Sequence, residues 1–269
     1  MEKPRIIIPK VYGGISIDEA YEKIMAGSPV PDTSIPENQA FEFKNPDIVG
    51  SDYIRIPGIN RVISRFELAG YNNMNWQNTH FKLHDNGLYM PTIPEFMQHF
   101  LNVLDVFKSN GKKKMLDANG NPISEKDTED LYKHLTTNHL PQYGGSYGTW
   151  TWLDALFSSD GNSLKFNSEH RTSKNQGERI LVPKKSEPLE ACLTGNFWAG
   201  LKLNRQGLPV EQSSSNSNKP GENIYFWPPV ADRVARFYAY SGGAGLDCDG
   251  SPVNWDPGLG VYAVAEAGS

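Results

Sequence analysis

The chain has 269 residues, a formal net charge of −5 and a charged fraction of 21%. This charge gives no net electrostatic attraction to nucleic acid, and the composition excludes a disordered or fibrous chain. The 25 glycines, 19 prolines and 11% aromatic residues favour short strands, turns and long ordered loops over a helical bundle. We therefore expect a globular α+β protein.

The sequence contains no apolar run that approaches the roughly 20 residues of a membrane-spanning helix. The first residues supply only Ile6 to Ile8 before Pro9, which is too short for the apolar part of a secretory signal. We expect no membrane insertion and no secretory signal, and the sequence leaves the localisation open.

Two capping boxes predict helices in the first half of the chain. Ser16 with Glu19 begins an amphipathic stretch that stops at Gly27. Thr92 with Glu95 begins a longer stretch with proline in its first turn and a wide apolar face. The second helix is therefore expected to cover a sheet.

A third helix is predicted from Ser124, and a fourth, shorter one from Trp150 to Phe157. Short segments rich in β-branched and aromatic residues predict strands between turn residues. They do not alternate regularly with helices, so a doubly wound nucleotide-binding fold is not expected. The predicted strands are Arg5 to Ile8, Tyr53 to Ile56, Val62 to Phe66, Arg179 to Val182, Phe197 to Leu203, Asn223 to Trp227, Val234 to Tyr240 and Val261 to Ala265.

The polar stretch from Gln206 to Glu222 cannot bury a core of its own. We interpret it as a surface loop or linker inserted in one domain that spans residues 1–269.

Histidines and cysteines give no diagnostic motif. His80 and His84 are four residues apart, which on a helix would place both imidazoles on one face, as a metal site requires. The residues from 78 to 87 alternate like a strand that ends in a turn, so we predict no metal site there. Cys192 and Cys248 fit no zinc spacing, and we interpret them as buried thiols, with one disulfide as the alternative.

The segment from Phe237 to Val264 is rich in Tyr, Ser, Gly, Asp and Asn and contains Trp255. Recognition loops of antibodies have this composition, since rigid aromatic side chains supply contact area and small polar ones supply hydrogen bonds. A glycine-rich connection between two strands is the alternative interpretation. Asp247 and Asp249 also indicate calcium, but the oxygen-rich continuation of an EF-hand loop is missing.

The same segment lacks four residue types altogether. The chain's 17 Lys, 7 Gln, 16 Glu and 6 Met predict about five such residues from Phe237 to Val264, and none occurs. Together with Trp, these are types that an AAC or AAT codon cannot reach when only its adenines are replaced. Trp255 is the exception, and a loop that disfavours long side chains would show the same absence.

The pattern that begins at Val234-Ala235-Arg236-Phe237, continues through Ala244, Leu246, Cys248 and Pro252, and closes with residues 259–264 resembles the variable region of a known family. This family comprises the variable proteins of diversity-generating retroelements, particularly the archaeal branch. Residues 195–200 resemble a core turn of the same proteins. The match is strongest over the last 40 or so residues.

The resemblance implies a C-type lectin fold, with small twisted antiparallel sheets, two main helices and long ordered loops. It also implies that adenine-directed reverse transcription rewrites a variable region of about residues 234–264. Phe237, Leu246, Cys248 and Leu259 would remain as buried anchors, while the side chains between them face a ligand. The strands Arg5 to Ile8 and Val261 to Ala265 would pair as first and last strands.

The resemblance carries over to fifteen candidate variable positions. These are Tyr238, Tyr240, Ser241, Gly242, Gly243, Gly245, Asp247, Asp249, Gly250, Ser251, Val253, Asn254, Trp255, Asp256 and Pro257.

The expected function is non-catalytic recognition of changing targets by a hypervariable surface. The partner is an unknown protein or cell-surface ligand, surface display follows only from the resemblance, and no cofactor, metal or nucleic acid is expected. The alternative is a thiol-dependent enzyme of the formylglycine-generating type on a related fold, using Cys192 and Cys248. Neighbouring Asp247 and Asp249 would raise a thiol's pKa, which opposes that alternative.

Overall fold

The computed structural model describes residues 11–12, 15–16, 40–43, 45–137, 149–255 and 257–266. The chain divides into two compact units, Met1–Thr33 and Ser34–Ser269. In the first unit, β1 (Val11–Tyr12) pairs antiparallel with β2 (Ile15–Ser16). The helix predicted after Ser16 and the strand predicted from Arg5 to Ile8 lie outside the described residues.

The described part of the second unit contains ten strands and three α-helices. In chain order these are β3 (Tyr53–Arg55), β4 (Arg61–Ser64), α1 (Trp76–Asp85), α2 (Ile93–Lys108), α3 (Glu125–Thr136), β5 (Trp150–Asp160), β6 (Ser163–Asn175), β7 (Glu178–Pro188), β8 (Phe197–Gly200), β9 (Asn223–Trp227), β10 (Arg233–Tyr240), β11 (Gly243–Gly250) and β12 (Val264–Glu266).

The strands of this unit form two sheets. The larger sheet has the order β7-β6-β5-β10-β11-β9-β8, and the smaller has the order β12-β4-β3. Neighbouring strands are antiparallel except β11 and β9, which run parallel. The protein is therefore a mixed α+β protein, as its composition predicts.

One face of the larger sheet packs against α2 and α3. Phe96 and Phe100 of α2 lie against Phe237 of β10, with ring centroids 4.8 and 5.3 Å apart, and Leu131 and Leu135 of α3 are fully buried in the same cluster. Each buried side chain of this size contributes about 1.5–3 kcal/mol by leaving water. This cluster fixes the centre of the sheet against the helices.

The opposite face is covered in part by α1 and by the segment after β11. Trp76 of α1, Trp152 of β5 and Leu259 belong to a second buried cluster. Trp76 Nε1 donates to the carbonyl of Leu153 at 2.9 Å, and Trp152 Nε1 donates to that of Met74 at 3.1 Å. The sheet is thus enclosed on both sides near β5.

The helices predicted at Thr92 and Ser124 are confirmed. Thr92 and Glu95 form the predicted capping box of α2, and the side chain of Ser124 accepts a hydrogen bond from Asp127 N at the start of α3. In these two segments the N-capping residues and the helical spacing of the apolar residues indicate the same helix, so local sequence signals suffice to define it.

The helix predicted from Trp150 to Phe157 is wrong, because these residues form the first part of β5. Residues 151–155 are all buried, since Leu153 faces the cluster on α2 while Trp152 faces the cluster on α1. A strand that is buried on both faces shows no alternation of apolar and polar residues, so its sequence resembles that of a buried helix.

The strand predicted from Asn78 to Gly87 is also wrong, because most of this segment lies in α1. The side chain of Asn75 caps the helix by accepting a hydrogen bond from Asn78 N at 2.8 Å. The buried positions have helical spacing: they are Trp76, Thr79, His80 and Leu83.

The sequence does not predict β6 or β11. Much of β6 is exposed or half-buried and polar, and β11 is glycine-rich. The strand predicted from Val261 to Ala265 corresponds to β12, which pairs with β4, and its predicted pairing with residues 5–8 lies outside the described residues.

The polar stretch from Gln206 to Glu222 begins inside the protein. Leu208 is fully buried, and the side chain of Gln206 accepts from Glu190 N and donates to the carbonyl of Pro188, both at 2.9 Å. Most residues after position 210 are exposed or half-buried, as a surface loop requires.

Among the described residues, none of the helices combines the length and apolar character needed to cross a bilayer.

Replacing Thr92 by alanine should lower the free energy of unfolding by about 1 kcal/mol. The hydroxyl of Thr92 accepts from Glu95 N and donates to Glu95 Oε2, and both bonds are lost. Urea denaturation of Thr92→Ala, beside Lys112→Ala at an exposed position, measures the change. Equal midpoints for the two variants would show that the cap contributes nothing.

Candidate ligand-binding face

The hairpin formed by β10 and β11 lies in the interior of the larger sheet. β10 pairs with β5 on one side and with β11 on the other, and β11 also pairs with β9. Side chains alternate across the sheet, so Phe237, Leu246 and Cys248 point into the core and are fully buried. Leu259, the fourth predicted anchor, is also fully buried.

The outward positions of five neighbouring strands align in one row, which we call the aromatic row. Pairing runs from Trp198 to Tyr225, then to Gly245, Tyr238 and Trp150. Residues paired in this way project from the same face of a sheet. The row therefore places four aromatic side chains on one face, with a glycine among them.

Two glycines make room for tyrosine rings of β10. A Cβ atom added to Gly245 would lie 2.3 Å from Cζ of Tyr238, and one added to Gly242 would lie 2.3 Å from Cε2 of Tyr240. The two rings stack on each other with centroids 5.6 Å apart and planes inclined by 30°. Both rings therefore lie directly on glycine backbone, and a side chain at either position would displace the ring above it.

A pocket of about 300 Å³ opens on this face. It is mostly apolar, and Trp227 Nε1 donates to the hydroxyl of Tyr238 at 3.3 Å. Burial raises the pKa of Tyr238 to about 12, so its phenol is neutral at physiological pH. The lining residues are Thr149, Trp150, Trp227, Arg236, Tyr238, Ala239, Tyr240 and Asp247.

The polar part of the pocket is an ion pair between neighbouring strands. Arg236 Nε donates to Asp247 Oδ2 at 2.8 Å, and the two residues are directly paired in the ladder. The other carboxylate oxygen of Asp247 accepts from Asp249 N at 2.9 Å. Both oxygens of Asp247 are thus used within the protein, which leaves little capacity for the calcium alternative.

In the loop after β11, the described residues 251–255 and 257–258 are tied through the backbone at two points and are exposed or half-buried. The carbonyl of Pro252 accepts from Trp76 N at 3.2 Å, and the carbonyl of Pro257 accepts from Asn72 Nδ2 at 3.2 Å. Between these points, the exposed fractions of Val253 and Trp255 are 72% and 68%. The loop therefore presents side chains without depending on them for its position.

The loop returns to the strands that carry the aromatic row. Gly260 pairs with Thr151, and Thr151 pairs with Phe237 on its other side. The segment between Gly250 and Gly260 therefore crosses two strands, β10 and β5. This crossing brings the end of the loop back beside the strand that carries Trp150.

The structure divides the fifteen candidate positions by exposure. The exposed ones are Tyr240, Ser241, Gly242, Asp249, Val253, Asn254, Trp255 and Pro257. Tyr238 and Ser251 are half-buried. Gly243, Gly245, Asp247 and Gly250 are buried, and Asp256 lies outside the described residues.

The four buried candidates are constrained by packing. Added Cβ atoms would meet the ring of Tyr238 at Gly245, Asn218 and Trp198 at Gly243, and the carbonyl oxygen of Val234 at Gly250. Gly243 also has a φ of +125°, which side chains rarely adopt. The three glycines determine the shape of the backbone beneath the face, while Asp247 reaches the pocket as the partner of Arg236.

Several residues of the face come from segments that sequence analysis did not associate with it. Trp150, Trp198, Tyr225 and Trp227 reach it through strand pairing. In the predicted strand that contains Tyr225, Phe226 and Trp227, alternation places Tyr225 and Trp227 on one face, which indicates that aromatic side chains point outward there. Their alignment with β10 depends on the pairing register of several strands, which the sequence of one segment does not give.

The two cysteines are both free thiols; Cys248 is buried as predicted, whereas Cys192 is only half-buried, so the prediction of two buried thiols is wrong for Cys192. Burial, with smaller effects of Asp247, Cys192 and Asp249, raises the pKa of Cys248 well above its ordinary value. Burial also raises the pKa of Cys192. Both shifts suppress the thiolate that a thiol-dependent reaction needs.

Comparison of the chain with protein-family models, curated proteins and solved structures found no match.

Replacing Asp247 by alanine should lower the free energy of unfolding by about 1–3 kcal/mol, because Arg236 and Asp249 N both lose their acceptor. Asp249→Ala is the matched control, since this carboxylate is exposed and only two residues away. Chemical denaturation of both variants gives the difference. A loss at Asp247 no larger than at Asp249 would show that the ion pair does not stabilise the hairpin.

Proposed function

We propose that this protein is a non-catalytic binding protein whose outer hairpin face and adjoining loop recognise a ligand and are diversified by a retroelement. The surface consists of the exposed residues of the hairpin and the loop, together with the pocket beside the aromatic row; the exposed residues are Tyr240, Ser241, Gly242, Asp249, Val253, Asn254, Trp255 and Pro257. The proposal includes the C-type lectin arrangement, in which α2 and α3 are the two main helices.

The separation of fixed backbone from free side chains supports this proposal most directly. β10 and β11 are held by strands on both sides, and the loop backbone is tied to Trp76 and Asn72. The exposed side chains of Val253, Asn254 and Trp255 project from this frame. Substitution at such positions changes the ligand that is recognised and leaves the fold intact.

The chemistry of the surface is suited to a protein or cell-surface ligand. Tyrosine and tryptophan bury large rigid areas at small entropic cost, and serine, glycine and asparagine adapt their hydrogen bonds. Tyr240, with 44% of its surface exposed, and Trp255 provide the aromatic contacts. The net charge of −5 gives no general attraction to nucleic acid.

The thiol alternative receives less support from the structure. Cys248 is fully buried with a raised pKa, whereas a nucleophilic cysteine needs access to its substrate and a lowered pKa. Its position in the core, next to Leu246 and Phe237 on the inner face, agrees with an anchor role.

Anchor and surface positions should differ sharply in their effect on stability. Phe237→Ala should lower the free energy of unfolding by about 3–5 kcal/mol, because it leaves a cavity against Phe96 and Phe100. Val253→Ala and Trp255→Ala should each change it by less than about 0.5 kcal/mol. Chemical denaturation measures all three. A loss at Trp255 that equals the loss at Phe237 would contradict the proposed division.

The DNA around the gene should contain a near-duplicate of the segment that encodes residues 234–264. Mismatches should occur only where the duplicate has adenine, and they should fall in the codons of exposed residues such as Tyr240 and Asn254. The codons of Phe237, Leu246 and Leu259 serve as internal controls and should be identical. Sequencing of the locus decides the point: a locus without such a duplicate, or mismatches spread over the anchor codons, would refute diversification.

A further inference from the structure

A second cluster of side chains that can bind a ligand lies where α1 packs on β5 and β6. His80 of α1, Asp154 of β5 and His170 of β6 are buried there together. One nitrogen from each imidazole and one carboxylate oxygen all lie within 4.8 Å of one another. The indole of Trp76 packs edge-on against both imidazoles, with centroids 4.3 and 5.0 Å away. We call this group the His–Asp–His cluster.

Asp154 lies between the two histidines. Its Oδ1 is 2.5 Å from His170 Nδ1 and 3.6 Å from His80 Nε2, while its Oδ2 accepts from His170 N at 2.9 Å. The imidazoles hold the pKa of Asp154 below its ordinary value despite burial, so the carboxylate is ionised. The cluster therefore presents a buried negative charge toward two imidazole rings.

His80 has no hydrogen-bond partner for either ring nitrogen among the described residues, and Nε2 of His170 also lacks one. A buried polar atom without a partner destabilises the folded state. A neutral imidazole with a free lone pair is the form that binds a metal.

We propose that His80, Asp154 and His170 bind a single divalent transition-metal ion of the zinc class, which fastens α1 to the larger sheet. Zinc binds imidazole nitrogen and carboxylate oxygen at about 2.0–2.2 Å, so two tetrahedral ligand atoms lie roughly 3.4 Å apart. The separation of His80 Nε2 from Asp154 Oδ1 is close to this value, whereas the 2.5 Å between Asp154 Oδ1 and His170 Nδ1 is a hydrogen bond, which leaves Nε2 of His170 as the nitrogen for the ion. Calcium and magnesium prefer sets of oxygen ligands, which the cluster does not offer.

The enclosure of the cluster indicates a structural ion. His80, Asp154 and His170 are all at least 98% buried, whereas a catalytic zinc keeps one position open to water or substrate. His84 follows one turn later on α1, with its ring centroid 5.6 Å from that of His80, so a further imidazole is close at hand. Its Nε2 is also buried without a partner among the described residues.

His99 on α2 provides the matched control. It is fully buried, and neither ring nitrogen has a hydrogen-bond partner among the described residues, as for His80. The pKa of His99 is lowered by burial alone, without the influence of a carboxylate or a second imidazole. A buried lone histidine and a buried cluster can thus be compared in one protein.

The test uses the full chain without a histidine tag, stripped with a chelator and dialysed. Zinc chloride is titrated by calorimetry, and thermal unfolding is followed with and without zinc, with magnesium chloride as the control ion. The wild-type protein should bind one equivalent of zinc, and a hundredfold excess over Kd should raise the unfolding temperature by about 5–10 °C. Magnesium should produce no comparable shift.

Variants and cobalt substitution locate the ion. H80Q and H170Q should weaken zinc binding at least about tenfold, while H99Q should bind one equivalent as tightly as the wild type. Bound cobalt should show visible d–d absorption of nitrogen and oxygen ligands without a sulfur charge-transfer band. If H80Q and H170Q fail to fold, stoichiometry, thermal shift and the cobalt spectrum of the wild type decide alone.

Three results would overturn the proposal: a stripped wild type that binds no stoichiometric zinc, H80Q and H170Q that bind it as tightly as H99Q, or a cobalt spectrum with sulfur ligands, which would place the ion at a cysteine. None of these results depends on the ligand-binding face, so the two proposals stand or fall separately.

Discussion

The packing of Phe237, a residue of β10, against the helix α2 is the contact on which the outer surface depends. Its ring touches Phe96 and Phe100, and the helix that carries these two residues is itself held by a capping box at Thr92. Successive side chains of β10 point to opposite faces of the sheet. Because Phe237 points into the core, Tyr238 and Arg236 must point outward. The orientation of the pocket is therefore determined from the core.

Neighbouring strands transmit this orientation across the face. Trp150 and Gly245 are paired with Tyr238, so a displacement of β10 by one residue would disrupt the row on both sides at once. The ion pair of Arg236 with Asp247 adds a second restraint in the adjacent row. Such redundancy allows exposed side chains nearby to change without a change of register.

Local sequence signals predicted the parts of the fold that depend on local contacts. The helix at Thr92 and the strand from Asn223 to Trp227 appear with the expected bounds or close to them, and the four predicted anchors are buried. Prediction failed where tertiary context overrides pattern. β5 is buried on both faces and has no period, the helix α1 carries an apparent alternation, and the glycines of β11 resemble a loop. The aromatic row and the His–Asp–His cluster each combine distant segments, so neither could be found without the strand register.

Because the rings of Tyr238 and Tyr240 lie directly on glycine backbone, the residue at one position of the hairpin affects the side-chain conformation at another. A methyl group at position 245 would occupy the space of the Tyr238 phenol, and the tyrosine would have to swing away from Trp227. One amino-acid change could then reshape the pocket without ever touching what binds there. Variation at this surface would be epistatic, so a small number of altered codons would yield more distinct shapes than a count of independent positions suggests.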